Sequence, residues 1–105
     1  MKTDSKTKNL YKALLLLKTD SECQKFLRDL LTESEIKEFA NRWAVAQMLD
    51  QKINYETIEK ETGMSSTTIA RISKWVNNGM GGYQLMLKRL SSKTKNHHRT
   101  SLVAV

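Results

Sequence analysis

Apolar residues recur along this chain at the three- and four-residue spacing of helices, and no stretch alternates as a strand would. The spacing predicts a first helix over Asn9 to Lys18, with Leu10, Ala13, Leu14 and Leu17 on one face. Thr19 followed by Glu22 has the spacing of a capping box and opens a second helix to about Leu31, apolar at Phe26, Leu27, Leu30 and Leu31. Thr32 followed by Glu35 repeats the signal and opens a third, long helix to about Gln51. Its stripe is Ile36, Phe39, Ala40, Trp43 and Ala46, widened by Val45, Met48 and Leu49. A helix apolar over so much of its surface should be buried on more than one side. Two short helices follow, about Tyr55–Thr62 and Ser66–Val76, and after the Gly79-Met80-Gly81-Gly82 break a sixth is marked by Tyr83, Met86, Leu87 and Leu90. Ser91 to Val105 is polar, basic and patternless, which predicts a disordered tail. The expected organisation is one all-α domain of six helices over residues 1–90, followed by a basic tail over 91–105.

The fourth and fifth helices are close enough to form a helix-turn-helix, a unit that needs a tight turn and apolar residues pinning the helices together. Gly63 can supply positive φ at the turn. Ile58 before it, and Met64, Ile69, Ile72 and Val76 after it, supply the pins. The other face of the fifth helix shows Ser66, Thr67, Ala70, Arg71 and Lys74, short polar groups with two cations. With Ser65 and Thr68 they form the candidate DNA-binding set, since Ser and Thr can bond bases or phosphates and Arg can read guanine. Glu59 stands where tightly packed forms of the motif favour a small residue, and Glu56 and Glu59 bring negative charge to the first helix of the pair. A helical hairpin that only packs is the competing interpretation.

Charge sharpens the picture. The net charge of +7 is unevenly placed. Residues 1–18 hold five Lys and one Asp, and residues 19–61 hold six basic and ten acidic groups. Residues 62–105 hold seven Lys or Arg and no acid. Charge alone is compatible with a solvated surface, but a reading helix that opens an all-basic segment suits a polyanion.

Other chemistry finds little footing. Cys23 is the only cysteine, which excludes an intramolecular disulfide and a cysteine-based zinc site; in a helical pattern it is expected to be a small core residue. No apolar run reaches the roughly 18 residues that span a membrane, and Leu14–Leu17 has no cleavage context, so a cytoplasmic protein is expected. His97 and His98 are adjacent in the tail, where they are not preorganised as an acid–base or ligand pair. Glu33, Glu35 and Glu38 occupy the first turns of a helix, where the backbone dipole favours negative charge. No enzyme, metal or cofactor is expected.

The segment Leu30-Leu31-Thr32-Glu33-Ser34-Glu35, then Arg42, Leu49, Gly63 and Ile69-Ala70-Arg71, resembles the tryptophan repressor family. The run Asn77-Asn78-Gly79-Met80-Gly81-Gly82-Tyr83-Gln84-Leu85 is similar to the C-terminal signature of its YerC/YecD group. The resemblance covers roughly Leu10 to Leu90. It implies an all-helical, intertwined homodimer of six-helix chains in which the second helix of each helix-turn-helix faces double-stranded DNA. It also implies a ligand pocket, carried over only in part. Arg42 and Arg71 match the two arginines that sandwich the repressor's bound indole, and Thr32 matches a residue near the ligand's amino group. Ile72 stands where the repressor has a glycine, and Trp75 where it has a serine that holds the ligand's polar end.

Trp75 follows Arg71 by four residues, so the two are expected to stack and the indole to fill the chain's own pocket. Tryptophan is then not expected to be the effector, and whether another small molecule serves is left open. Two function classes stay open. One is a DNA-binding transcriptional regulator that does not respond to tryptophan. The other is a helical dimer that binds protein or RNA through a degenerate helix-turn-helix.

Overall fold

A computed structural model describes residues 4–96 of the chain. Six helices follow one another: α1 (Ser5–Leu16), α2 (Asp20–Leu30), α3 (Glu33–Asp50), α4 (Tyr55–Thr62), α5 (Ser66–Asn78) and α6 (Gly82–Asn96). Each start has a chemical cause where a cap is present. The Asp4 side chain accepts from Thr7 N at 2.8 Å to open α1, and the backbone hydrogen bond from Thr7 holds the Asp4 carboxyl below its ordinary value. Thr19 accepts from Glu22 N to open α2, while the Glu22 carboxylate reaches back to Lys18 N. Thr32 and Glu35 form the reciprocal box expected of them: Thr32 Oγ1 accepts from Glu35 N at 3.1 Å, and Thr32 N donates to Glu35 Oε1 at 2.9 Å. Asn54 caps α4 and Ser65 caps α5.

The helix ends differ from the expectation in three places. The first helix begins at Ser5, four residues before Asn9, because Asp4 caps it. The fifth runs on to Asn78 and ends at Gly79. The sixth continues through Ser91–Asn96, where a patternless tail was expected. That segment is polar but holds no Gly or Pro, so nothing in it stops a helix already under way. The rest of the expected tail, including His97 and His98, lies outside the described residues.

The described chain divides into two compact units, with the boundary inside α3 after Glu38. In the first, neither α1 nor α2 buries any residue. Leu15 and Leu16 are 84% and 73% exposed, and Leu10, Leu14 and Leu30 are each partly exposed. Cys23 is half-buried rather than a core residue.

The second unit holds the core. Val45 and Ala46 of α3, Ile58 of α4, Ile69, Ile72 and Val76 of α5, and Leu87 of α6 are buried together. Met48, Leu49, Ile53, Met64, Trp43 and Tyr83 pack around them. The packed pairs among the described helices are α4 with α5 and α5 with α6. The broad apolar surface of α3 is covered only in part, for Phe39 is 51% exposed and Ala40 is exposed too. The sequence pattern led us to expect burial on more than one side; within a single chain only Val45 and Ala46 are enclosed.

Candidate functional site

The site begins with the turn between α4 and α5. Gly63 ends α4 in the left-handed region at φ 74°, and its N–H donates to Glu59 O at 2.8 Å. An added Cβ there would meet no heavy atom within 4 Å, so the need for glycine is one of backbone torsion and not of space. Thr62 Oγ1 donates to Ile58 O and accepts from Met64 N, which ties the turn to the end of α4. Ile58, Ile69, Ile72 and Val76 then lock α4 and α5 against one core.

That packing decides which face of α5 is free. Ser66, Thr67, Ala70, Arg71 and Lys74 are all exposed, and their spacing makes them one stripe opposite Ile69, Ile72 and Val76. Ser65 and Thr68 stand apart from them. Ser65 caps the helix by accepting from Thr68 N at 3.2 Å, its hydroxyl lies 3.2 Å from Thr68 Oγ1, and Thr68 is half-buried. The N-terminal end of α5 adds a positive backbone dipole to a segment without acid. On α4, Glu56 is exposed and Glu59 half-buried, so the neighbouring helix does carry negative charge.

The residues suggested for a ligand pocket separate into groups. Thr32 is committed to the α3 cap. Ile72 is completely buried in the core, so its side chain offers nothing to a ligand in the single chain. Arg71 is exposed on the α5 stripe. The structure does bring Arg42 and Trp75 together: the guanidinium carbon of Arg42 lies 5.9 Å from the centre of the indole. The sequence spacing suggested Arg71 as the stacking partner; the cation over the ring is instead Arg42, reaching from α3. Trp75 is 40% exposed, so the indole is covered on one side and not enclosed.

Its open side belongs to a hollow of about 660 Å³ lined by Trp43, Trp75, Asn78, Met80, Tyr83 and Met86 together with Gly79 and Gly82. The rings of Trp43 and Tyr83 lie parallel, 3° apart in plane and 6.4 Å between centres. Gly79 is required at its rim, since a Cβ there would come within 2.5 Å of Trp75 O. Gln84 Nε2 donates to Val76 O at 2.7 Å and fixes the start of α6 beside the end of α5. Sequence reasoning missed this hollow as a site. Trp43 and Tyr83 both stood out as helix-face residues, but their separation of forty positions hid their pairing.

Among the described residues no three His, Cys, Asp or Glu side chains gather as a metal site. No described helix is long and apolar enough to cross a membrane.

The sequence profile of the Trp repressor protein family matches residues 5–91, nearly all of the described chain. The chain belongs to the Trp repressor family. Within it, the chain is 41% identical over 81 residues to YerC of Bacillus subtilis, an alignment covering 77% of this chain and 78% of that protein. Two solved structures agree. A candidate Trp repressor from Staphylococcus aureus is 35% identical with a TM-score of 0.79, covering 84% of this chain and 88% of the other. A TrpR-like protein from Eubacterium eligens is 34% identical with a TM-score of 0.81, covering 84% and 91%. Membership of the Trp repressor family agrees with the resemblance carried by Leu30–Glu35, Arg42 and Ile69–Arg71. The kinship to YerC agrees with the one carried by Asn77–Leu85.

Proposed function

We propose that this chain is a DNA-binding transcriptional regulator of the Trp repressor type that acts as an intertwined homodimer. In this reading α4 and α5 form a helix-turn-helix, and α5 enters the major groove. The observation that carries it is the exposed stripe of Ser66, Thr67, Ala70, Arg71 and Lys74, set opposite a fully buried Ile69 and Ile72 after a left-handed Gly63 turn. Arg71 and Lys74 meet the duplex, with Ser66 and Thr67 positioned for phosphate or base-edge hydrogen bonds. Ser65 and Thr68 set the helix start.

The uncovered leucines of α1 and α2 support the dimer. A single chain leaves Leu15 and Leu16 mostly in water and Leu10, Leu14 and Leu30 partly so, and a second copy is the simplest cover of the right character. Such a dimer holds its two α5 helices about 34 Å apart, to meet successive major grooves.

The reading departs from a tryptophan-responsive repressor. Trp75 places an indole against Arg42 where the family resemblance puts a small polar residue beside the ligand. A second tryptophan has to displace that contact before it can bind, so we assign no tryptophan effector.

A protein- or RNA-binding role is the alternative; the acidic α4, with Glu56 exposed and Glu59 half-buried, disfavours a duplex beside it. Binding curves on genomic DNA fragments at several salt concentrations separate the two. A DNA regulator loses affinity steeply and linearly in log salt as counterions are released. A flat response, or none, favours the alternative.

A further inference from the structure

The exposed face of α5 does not stop at Lys74. Asn77 is exposed, three positions after Lys74 and seven after Ala70, so it continues the same stripe opposite Ile69, Ile72 and Val76. Its amide is held in place, for Asn77 Nδ2 donates to Ser73 O at 2.9 Å. Only the nitrogen can donate to a carbonyl, so this bond also fixes which way round the amide sits.

A side-chain amide carries two N–H donors and one carbonyl acceptor, and the bond to Ser73 spends one donor. One N–H and the carbonyl remain, a donor beside an acceptor. In the major groove that pair matches adenine, which offers N7 as acceptor and the N6 amino group as donor. Guanine there offers two acceptors, cytosine a donor and thymine an acceptor with a methyl group.

The rest of the stripe suits a close approach by this end of α5. The last carbonyls of a helix form its negative end, which phosphates repel. Here Trp75 O accepts from Gly79 N at 2.9 Å and Val76 O accepts from Gln84 Nε2 at 2.7 Å, so both are already engaged. No acidic residue follows Glu61. Ala70, in line with Asn77, is too small to hold the helix off the base edges.

We propose that Asn77 is a specificity-determining residue of α5 that reads an adenine in the major groove. This role rests on the DNA-binding reading above and gives the helix two readers, Arg71 for guanine and Asn77 for adenine. Six positions separate them, about 9 Å of helix axis. At ~3.4 Å per base pair, the adenine lies about 2–3 pairs from the guanine of the same half-site.

The test begins with a duplex selected by the wild-type chain from a random library. Each adenine of its half-site is replaced in turn by 7-deazaadenine, which pairs normally but lacks the N7 acceptor. Binding is followed by fluorescence anisotropy for the wild-type chain and for Asn77→Ala. Alanine is the better helix former, and circular dichroism checks that the variant folds. One adenine should be sensitive: 7-deazaadenine there, or a different base, weakens the wild-type chain by about 5- to 150-fold. Asn77→Ala should lose affinity for the unmodified duplex by a similar factor and be indifferent to either change at that position. Its preference for the guanine should persist, whereas Arg71→Ala should relax that one and keep the adenine.

A wild-type chain indifferent to 7-deazaadenine at every position overturns the adenine role, whether or not the variant folds, and leaves Arg71 as a reader standing. A folded Asn77→Ala that weakens equally on all sequences also overturns it and assigns the amide to a phosphate. A wild-type chain that binds no duplex overturns the DNA reading itself, and the role of Asn77 with it.

Discussion

Replacing Trp75 by serine tests the placement of the indole and the effector reading together. Trp75 is 40% exposed, so about three-fifths of its surface is covered. A fully buried aromatic side chain covers roughly 150–250 Å², which puts roughly 90–150 Å² at stake here. At about 25 cal/mol per Å² that is about 2–4 kcal/mol. The Arg42 guanidinium 5.9 Å from the ring centre adds about 0.5–1 kcal/mol of cation–π attraction, at the low end because the site is partly wet. Trp75→Ser should therefore cost about 3 kcal/mol, and Trp75→Phe, which keeps a ring under Arg42, distinctly less. Urea unfolding followed by circular dichroism at one fixed protein concentration measures both, since the stability of a dimer depends on concentration. A loss under about 1 kcal/mol for Trp75→Ser would refute the packing argument. Calorimetry of the unmodified chain with L-tryptophan completes the test. No binding heat is expected, whereas a ligand at a hundred times its Kd would stabilise the fold by about 2.7 kcal/mol and be plain to see. Micromolar binding would remove the idea that Trp75 stands in the ligand's place.

Further outcomes follow from the same geometry. Gly63→Ala should destabilise by about 1–2 kcal/mol through torsion alone, because the added Cβ meets nothing within 4 Å. Gly63→Asn should recover much of the loss, and an unchanged urea midpoint in the alanine variant would contradict the left-handed turn. Sedimentation at micromolar concentration should give a dimer, since α1 and α2 bury nothing within one chain; a stable monomer would count against the intertwined assembly. Arg71→Ala should weaken binding to a selected DNA site by about 1–3 kcal/mol and relax its sequence preference. Lys88→Ala should lose less and leave that preference unchanged, and equal small losses would point to diffuse charge in place of a reading helix.

Much of the fold was legible because its cues are local. Thr19, Thr32 and Gly63 mark helix starts and a turn by short-range hydrogen bonding and torsion, and each acts where its spacing indicated. The interior face of α5 was equally plain, since Ile69, Ile72 and Val76 repeat at helical spacing and all three are buried. What was not legible depends on chain-distant contacts. Arg42 and Trp75 are 33 positions apart, and nothing in either neighbourhood says that they meet, whereas Arg71 sits one helical turn from Trp75 and looked the natural partner. The continuation of α6 to Asn96 was hidden for another reason. A polar helix end shows no apolar period, yet it persists because it extends an existing helix and carries no residue that breaks one. The wide apolar surface of α3 was seen, but a single chain does not supply its cover.

The central claim is that α5 reads DNA as one of a symmetric pair. Selection of bound duplexes from a random-sequence library tests it most directly. The account predicts enrichment of a near-palindromic site whose half-sites are centred about one helical turn, or a small multiple of it, apart. It also predicts that Arg71→Ala weakens the enrichment and relaxes the preferred site while the folded dimer persists. Recovery of no preferred sequence, or of a preferred site that Arg71→Ala leaves unchanged, would contradict it.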